Sequence, residues 1–334
     1  MRAADVHVAL STSYDRSDLV GLALEVEELG YGGVWLTELA ARDAFSLLTE
    51  IGLKTRRVEL GTGIVNHYSR SPATLAQTAA SLSEVLDGRA LNLGLGASSR
   101  AVIEGLHGVP YEQPYARMVE TLRLIRLGLA GQRLDFSGQV FRTSGFSLGV
   151  VPRGPVRLYV AGFARPMLEV TGQEADGWLP NFPSRQGFSA LREDVAAAAT
   201  RAGRTMPITA SYIYTSVGED SGEIEAPLRR TIAWYLASGG AGYRTLFRRY
   251  GYGQLVDDVV GLWRQGKRAE ARALVGPEVI RDVCVVGPVA SAPQQLQGFV
   301  KIGIHVPVLR FPDPLEPRRQ SEMLREIAAR LSTE

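Results

Sequence analysis

Residues 58–98, VELGTGIVNHYSRSPATLAQTAASLSEVLDGRALNLGLGAS, restrict the fold more than any other stretch of this chain. They read as a strand, a glycine-containing bulge, a polar loop, an apolar-periodic helix opened by Pro72, and a second strand ending in Gly94-Leu95-Gly96. That is a βαβ unit. In parallel α/β folds the residues at the carboxyl ends of the strands line the ligand crevice, so the stretch bears on binding as well as on folding.

The same alternation runs through most of the 334 residues. Short apolar runs at 7–10, 33–37, 58–65, 90–95, 156–161, 177–179, 208–216 and 305–311 read as eight strands. Helical patterns at 18–29, 45–54, from 72, 115–129, 166–174, 191–202, 293–302 and 317–331 lie between or after them. Two stretches break the pattern. Residues 132–148 predict a β-hairpin excursion, and 218–280, helical and rich in Gly, Arg and Tyr, predict a lid-like insertion over one end of the body. Eight strands with helices between them predict a TIM (β/α)8 barrel of α/β class, one domain over 1–334, with a doubly wound open sheet as the alternative. No repeat of 20–50 residues and no biased linker argues for more domains.

Composition narrows the function. A net charge of +2, with arginine pairs scattered as at Arg56-Arg57 and Arg248-Arg249, gives no basic stripe for nucleic acid. No window of ~18 uninterrupted apolar residues reads as a membrane span, and the first residues lack the apolar centre of a signal peptide. Cys284 is the single cysteine, so no intrachain disulfide forms, and a reducing cytoplasm is the expected location. The four histidines, His7, His67, His107 and His305, do not cluster, and no H-E-x-x-H or paired-cysteine pattern points to a metal.

Three constellations can do chemistry, each with a plainer reading beside it. Gly61-Thr62-Gly63-Ile64-Val65-Asn66 suggests a strand bent toward a bound planar group, or simply a tightly packed strand end. Gly94 to Arg100 offers backbone amides and the Ser98 and Ser99 hydroxyls to a phosphate or cofactor edge, or forms a plain loop. Gly162-Phe163-Ala164-Arg165-Pro166 runs into a helix start that can hold a phosphate, or is an ordinary capped helix. Glu38, closing the second strand, is the best-placed carboxylate for proton transfer, although most such glutamates are only solvated. Asp43 is expected to be an N-cap or ion-pair partner.

These pieces, in this order, resemble the luciferase-like family, and within it the branch that uses the deazaflavin coenzyme F-420. The resemblance rests on GYGGVWLTE with Arg42-Asp43, ELGTGIVNHYSRSP, EVLDGRALNLGLGASSRAVIEGLHGVPYEQP, LDFSGQVFR, YVAGFARPMLEVTGQEADGWLPN and VVGPVASAPQQLQGFVKIGI. It implies a TIM barrel of the bacterial-luciferase type and a hydride passed between C5 of the deazaflavin and a small organic substrate. It also implies a non-proline cis peptide in the third-strand bulge, here Gly63-Ile64, a bond that costs ~3–4 kcal/mol and needs support. Thr62, Gly63, Ile64, Asn66, Ala97 and Ser98 would border the ring, and Gly162, Phe163 and Ala164 the side-chain phosphate, with Gly177 and Trp178 close by. Thr37-Glu38 stands where some relatives have Asp-His, which leaves Glu38 as the proposed acid or base. Homodimers are frequent in the family. An FMN-dependent monooxygenase using reduced flavin and O2, and a non-catalytic cofactor-binding barrel, are the alternative functions.

Overall fold

The computed structural model describes residues 1–331. Its strands β1 (His7–Leu10), β2 (Gly33–Leu36), β3 (Glu59–Thr62), β4 (Leu91–Gly96), β5 (Val156–Val160), β6 (Gly177–Trp178), β7 (Ile208–Val217) and β8 (Val306–Arg310) pair in parallel, each with the next. His7 of β1 lies opposite Val308 of β8, which closes the sheet into an eight-stranded barrel. In β1, β2 and β4 every residue is buried, as expected of parallel strands covered by helices outside and a core inside.

The outer layer includes α1 (Arg16–Glu28), α2 (Ala44–Lys54), α3 (Pro72–Leu86), α4 (Pro114–Leu129), α5 (Arg165–Glu174) and α6 (Phe188–Arg201). Local chemistry sets several of their starts. Asp43 caps α2 by accepting from Ser46 N at 2.7 Å, and Ser71 caps α3 just before Pro72. Residues 134–146 form an antiparallel pair, Leu134–Ser137 with Arg142–Phe146. Its turn is held by the buried Glu120 carboxylate of α4, which accepts from Gln139 N at 2.6 Å and Phe141 N at 2.8 Å.

After β7 come α7 (Ser221–Ser238), α8 (Ala241–Arg249) and three further helices, Gly253–Arg264, Arg268–Ala273 and Pro277–Val283. A strand that the sequence pattern did not reveal follows at once: Cys284–Gly287 pairs in parallel with Tyr214 to Val217, extending β7 beyond the barrel. Ala292–Lys301 and Pro317–Ala328 complete the helical layer.

Inside the barrel the side chains form layers. At the bottom, Arg157 meets Glu59 at 3.0 Å and Asn92 at 3.2 Å, and Asn92 also donates to Glu59 at 2.9 Å. Trp35 Nε1 donates to His7 Nδ1 at 2.9 Å, and burial pushes the His7 imidazole down to about 4, so the ring is a neutral acceptor. Above it Trp35 and Tyr159 meet edge-on, 5.3 Å between centroids. They leave no room for a Cβ on the facing strands: one on Gly61 would come within 2.6 Å of Trp35 Cε3, and one on Gly177 would overlap the Tyr159 ring.

Glu27 shows how the helical layer is fastened to the barrel. Its carboxylate accepts from the backbone N–H groups of Arg56, Arg57 and Val58 at 2.8, 2.6 and 3.1 Å. Burial pushes its carboxyl up, but these three donors outweigh that and hold it below the usual carboxylate range. Glu27→Gln is expected to lower the unfolding free energy by about 2 kcal/mol at neutral pH, read by urea denaturation. The difference between wild type and variant is present above the unfolded carboxylate value of ~4.3 and disappears as pH falls through the lower folded value.

Candidate active site at the barrel mouth

The carboxyl ends of the strands bring Thr37, Gly63, Gly96, Ala161, Tyr212 and Arg310 to one end of the barrel. Here β3 breaks. Its ladder stops at Thr62 and resumes as Val65–Asn66, now paired with Leu95 and Gly96 of β4. Gly63 N turns to Leu36 O at 2.6 Å, and Thr62 Oγ1 replaces the lost ladder by bonding both Gly94 O at 2.9 Å and Gly94 N at 2.8 Å. The bulge needs bare backbone opposite. A Cβ on Gly94 would overlap Thr62 O and lie 2.7 Å from Gly63 O, and one on Gly96 would lie 3.0 Å from Ile64 Cδ1. The kink is therefore made with trans peptides. Among the described residues only Asp313-Pro314 is cis, so the expected cis bond at Gly63-Ile64 is corrected.

The mouth has two unlike halves. Along β2 to β5, Thr37, Ile64, Ala97, Ser98, Ala161 and Gly162 are half-buried and mostly small. This arc ends at Ala164, where α5 begins without a side-chain cap. Across β6 to β8 the residues are buried beneath aromatic rings. Phe182 stacks on Tyr214 at 4.8 Å, Tyr235 of α7 bonds Tyr214 hydroxyl to hydroxyl at 2.9 Å, and Tyr243 of α8 lies 5.3 Å from Phe163. Arg310 donates to Tyr214 Oη at 3.2 Å and to Asp313 at 3.1 Å, with its guanidinium over the Tyr212 ring at 5.7 Å. The Tyr212 hydroxyl is buried and has no hydrogen-bond partner among the described residues. Burial lifts the phenols of Tyr212, Tyr214 and Tyr243 above their ordinary range, so all three stay protonated.

Residues 3–306 match the sequence profile of the family described as luciferase-like monooxygenase. The chain belongs to that family. The 5,10-methylenetetrahydromethanopterin reductase of Archaeoglobus fulgidus is 30% identical over 242 residues, 72% of this chain and 70% of the relative. The F-420-dependent glucose-6-phosphate dehydrogenase of Nocardia farcinica is 25% identical over 340 residues, 97% and 96% of the two chains. The coenzyme F-420-dependent tetrahydromethanopterin reductase of Methanopyrus kandleri superposes with a TM-score of 0.83 at 19% identity, covering 98% and 97%, which establishes the shared barrel. This luciferase-like chain is accordingly an enzyme of the superfamily, with relatives that are F-420-dependent oxidoreductases.

On this luciferase-like barrel the expected site residues divide. Ile64, Ala97, Ser98, Gly162 and Ala164 line the half-buried arc, with Phe163 at its edge and Gly63 beneath the Tyr212 hydroxyl. Asn66 organises the loop beside it, its Oδ1 accepting from Tyr68 N at 3.0 Å and Ser69 N at 2.8 Å. Thr62 does not reach the arc, because its hydroxyl is spent on Gly94. Gly177 lies a layer lower under the Tyr159 ring, and Trp178 faces outward, stacked on Phe188 at 5.0 Å and touching Gly162 O at 3.3 Å. Glu38 is ion-paired. Arg70 takes its two oxygens at 2.6 and 2.9 Å, and Ala44 N donates to it at 3.0 Å. Tyr212 and Arg310, which the structure brings to the mouth, were not singled out in the sequence. The period-two face Ala210, Tyr212, Tyr214 in the seventh strand carries the signal for the tyrosine.

Proposed function

We propose that this enzyme is a coenzyme F-420-dependent oxidoreductase acting on a small organic molecule at the barrel mouth. The observation that carries the reading is the half-buried arc from Ile64 through Ala97, Ser98 and Gly162 to the uncapped start of α5. Small side chains admit the edge of a flat ring, and the positive end of the helix dipole at the start of α5 favours a phosphate. The residues thus fit a planar cofactor with a phosphorylated tail. One relative supports the choice of deazaflavin: the F-420-dependent glucose-6-phosphate dehydrogenase.

Bound there, coenzyme F-420 would supply a hydride at C5 of its ring. The protein does the rest. Ile64 and Ala97 would seat the ring, Gly162, Phe163 and Ala164 the phosphate, and Trp178 would hold the Gly162 carbonyl from behind. Tyr235 and Tyr243 of the 218–280 insertion, which touch Tyr214 and Phe163, would cover the mouth, exclude water and shape specificity. Glu38 would brace the rim through Arg70. A single barrel domain acting as a homodimer completes the proposal, and sedimentation velocity would read the oligomeric state.

Titrating the apoprotein separately with coenzyme F-420 and FMN tests the cofactor. Expected is saturable quenching of deazaflavin fluorescence at micromolar concentration, with FMN at least ~10-fold weaker, a gap of ~1.4 kcal/mol. Tight FMN binding without any response to coenzyme F-420 would instead establish the reduced-flavin monooxygenase.

A further inference from the structure

The hydroxyl of Tyr212 has no role in folding that a phenylalanine would not fill. It is buried without an acceptor among the described residues, pressed against the β3 bulge so closely that a Cβ on Gly63 would overlap it. A buried donor left unpaired is unfavourable, and its removal at constant shape is neutral or stabilising. The group is therefore waiting for a partner.

Two features describe that partner. The phenol is held protonated by its burial, so it donates. Arg310 holds a fixed positive charge over the same ring, 5.7 Å from its centroid, and reaches at 3.5 Å the Oγ1 of Thr37, whose methyl crowds the same face of Gly63. A preset donor beside a preset cation suits an atom that accepts a hydrogen bond and gains negative charge as reaction proceeds. A carbonyl oxygen does so when its carbon is reduced. An iminium carbon, cationic from the start, would be repelled by Arg310.

We propose that Tyr212 is the catalytic proton donor to the oxygen of a carbonyl substrate, with Arg310 the residue that positions and stabilises the charge. The inference rests on the deazaflavin reading and adds the substrate class to it. As the carbonyl carbon receives a hydride from the reduced deazaflavin, the C=O π pair moves to oxygen and takes the Tyr212 proton. One phenolic O–H bond breaks and one alcohol O–H bond forms. The carbonyl is reduced by two electrons, the deazaflavin is oxidised by two and gives one ring proton to solvent, and the tyrosinate regains one proton from solvent, so that the protons balance.

Tyr212→Phe tests this with three measurements. The free variant is expected to melt no lower than wild type, and its coenzyme F-420 affinity, by fluorescence titration, to stay within about twofold. Oxidation of reduced coenzyme F-420 by acetone, cyclohexanone and cyclohex-2-enone is expected to fall at least ~100-fold, the usual weight of a general acid. For the wild type, N-methyl-3,4-dihydroisoquinolinium should be the poorer acceptor. The proposal is overturned if the variant keeps the carbonyl rate or melts lower, if the iminium is preferred, or if no carbonyl oxidises the bound reduced cofactor. Failure of the cofactor reading itself shows earlier, as absence of coenzyme F-420 binding before any acceptor is added, and it takes this proposal with it.

Discussion

Gly94→Ala is expected to destabilise the barrel by about 3 kcal/mol or more, a large share of the ~5–15 kcal/mol that holds a typical domain folded. The new methyl group would overlap Thr62 O and stand 2.7 Å from Gly63 O. Neither obstacle is a flexible side-chain end. Both are carbonyls of the bulge, and the Thr62 hydroxyl pins that backbone to Gly94 itself. Relief requires β3 and β4 to separate at the point where they form the mouth, so cofactor affinity should fall together with stability. Gly21→Ala is the control. It lies within α1 with nothing within 4 Å of its would-be Cβ, and alanine there should stabilise by about 0.4–1 kcal/mol. Urea midpoints of both variants, with coenzyme F-420 titrations of the folded protein, check the pair. A Gly94→Ala protein as stable as wild type would show that β3 does not depend on bare backbone opposite its break.

The same glycines mark where the sequence could be read and where it could not. The eight strands were legible because strands covered on both faces read as uninterrupted apolar runs, and because the runs alternate with helical periodicity. The break in the third strand was legible too, since glycine in a strand signals a bulge or a close approach. What approaches was not. Gly61 faces Trp35 and Gly63 faces the Tyr212 hydroxyl, residues 26 and 149 positions away, and no local pattern pairs them. The Gly94-Leu95-Gly96 stretch, read as a possible phosphate loop, serves the bulge of a neighbouring strand. The cis bond at Gly63-Ile64 came from resemblance alone, and this chain kinks without it. Cys284–Gly287 escaped notice because four residues behind a run of helices carry too little periodicity to declare a strand.

Glu38 is the sharpest test of that boundary, because its position at a strand end invited a role in proton transfer while its contacts give it a structural one. Its side chain is 12% exposed and that of Arg70 21%, and Arg70 also reaches Asp43 at 2.6 Å and lies over the Phe45 ring at 5.2 Å. One guanidinium thus ties the end of β2 to the start of α2 and to the loop after the β3 bulge. Arg70→Ala would leave two carboxylates facing each other with water only partly able to replace the cation. The expected loss is about 2–4 kcal/mol, between the values for exposed and fully buried pairs. Glu38→Gln keeps the shape and one acceptor oxygen for Arg70, and should lose only ~1 kcal/mol. Activity separates the two roles. A general acid or base replaced by an amide loses ~10²–10⁴ in rate at unchanged stability. A brace replaced by an amide loses some stability and, once cofactor is saturating, keeps its rate within a fewfold. Denaturation curves beside kcat for Glu38→Gln decide between them, and a 100-fold fall in kcat with an unmoved midpoint would return the carboxylate to the chemistry.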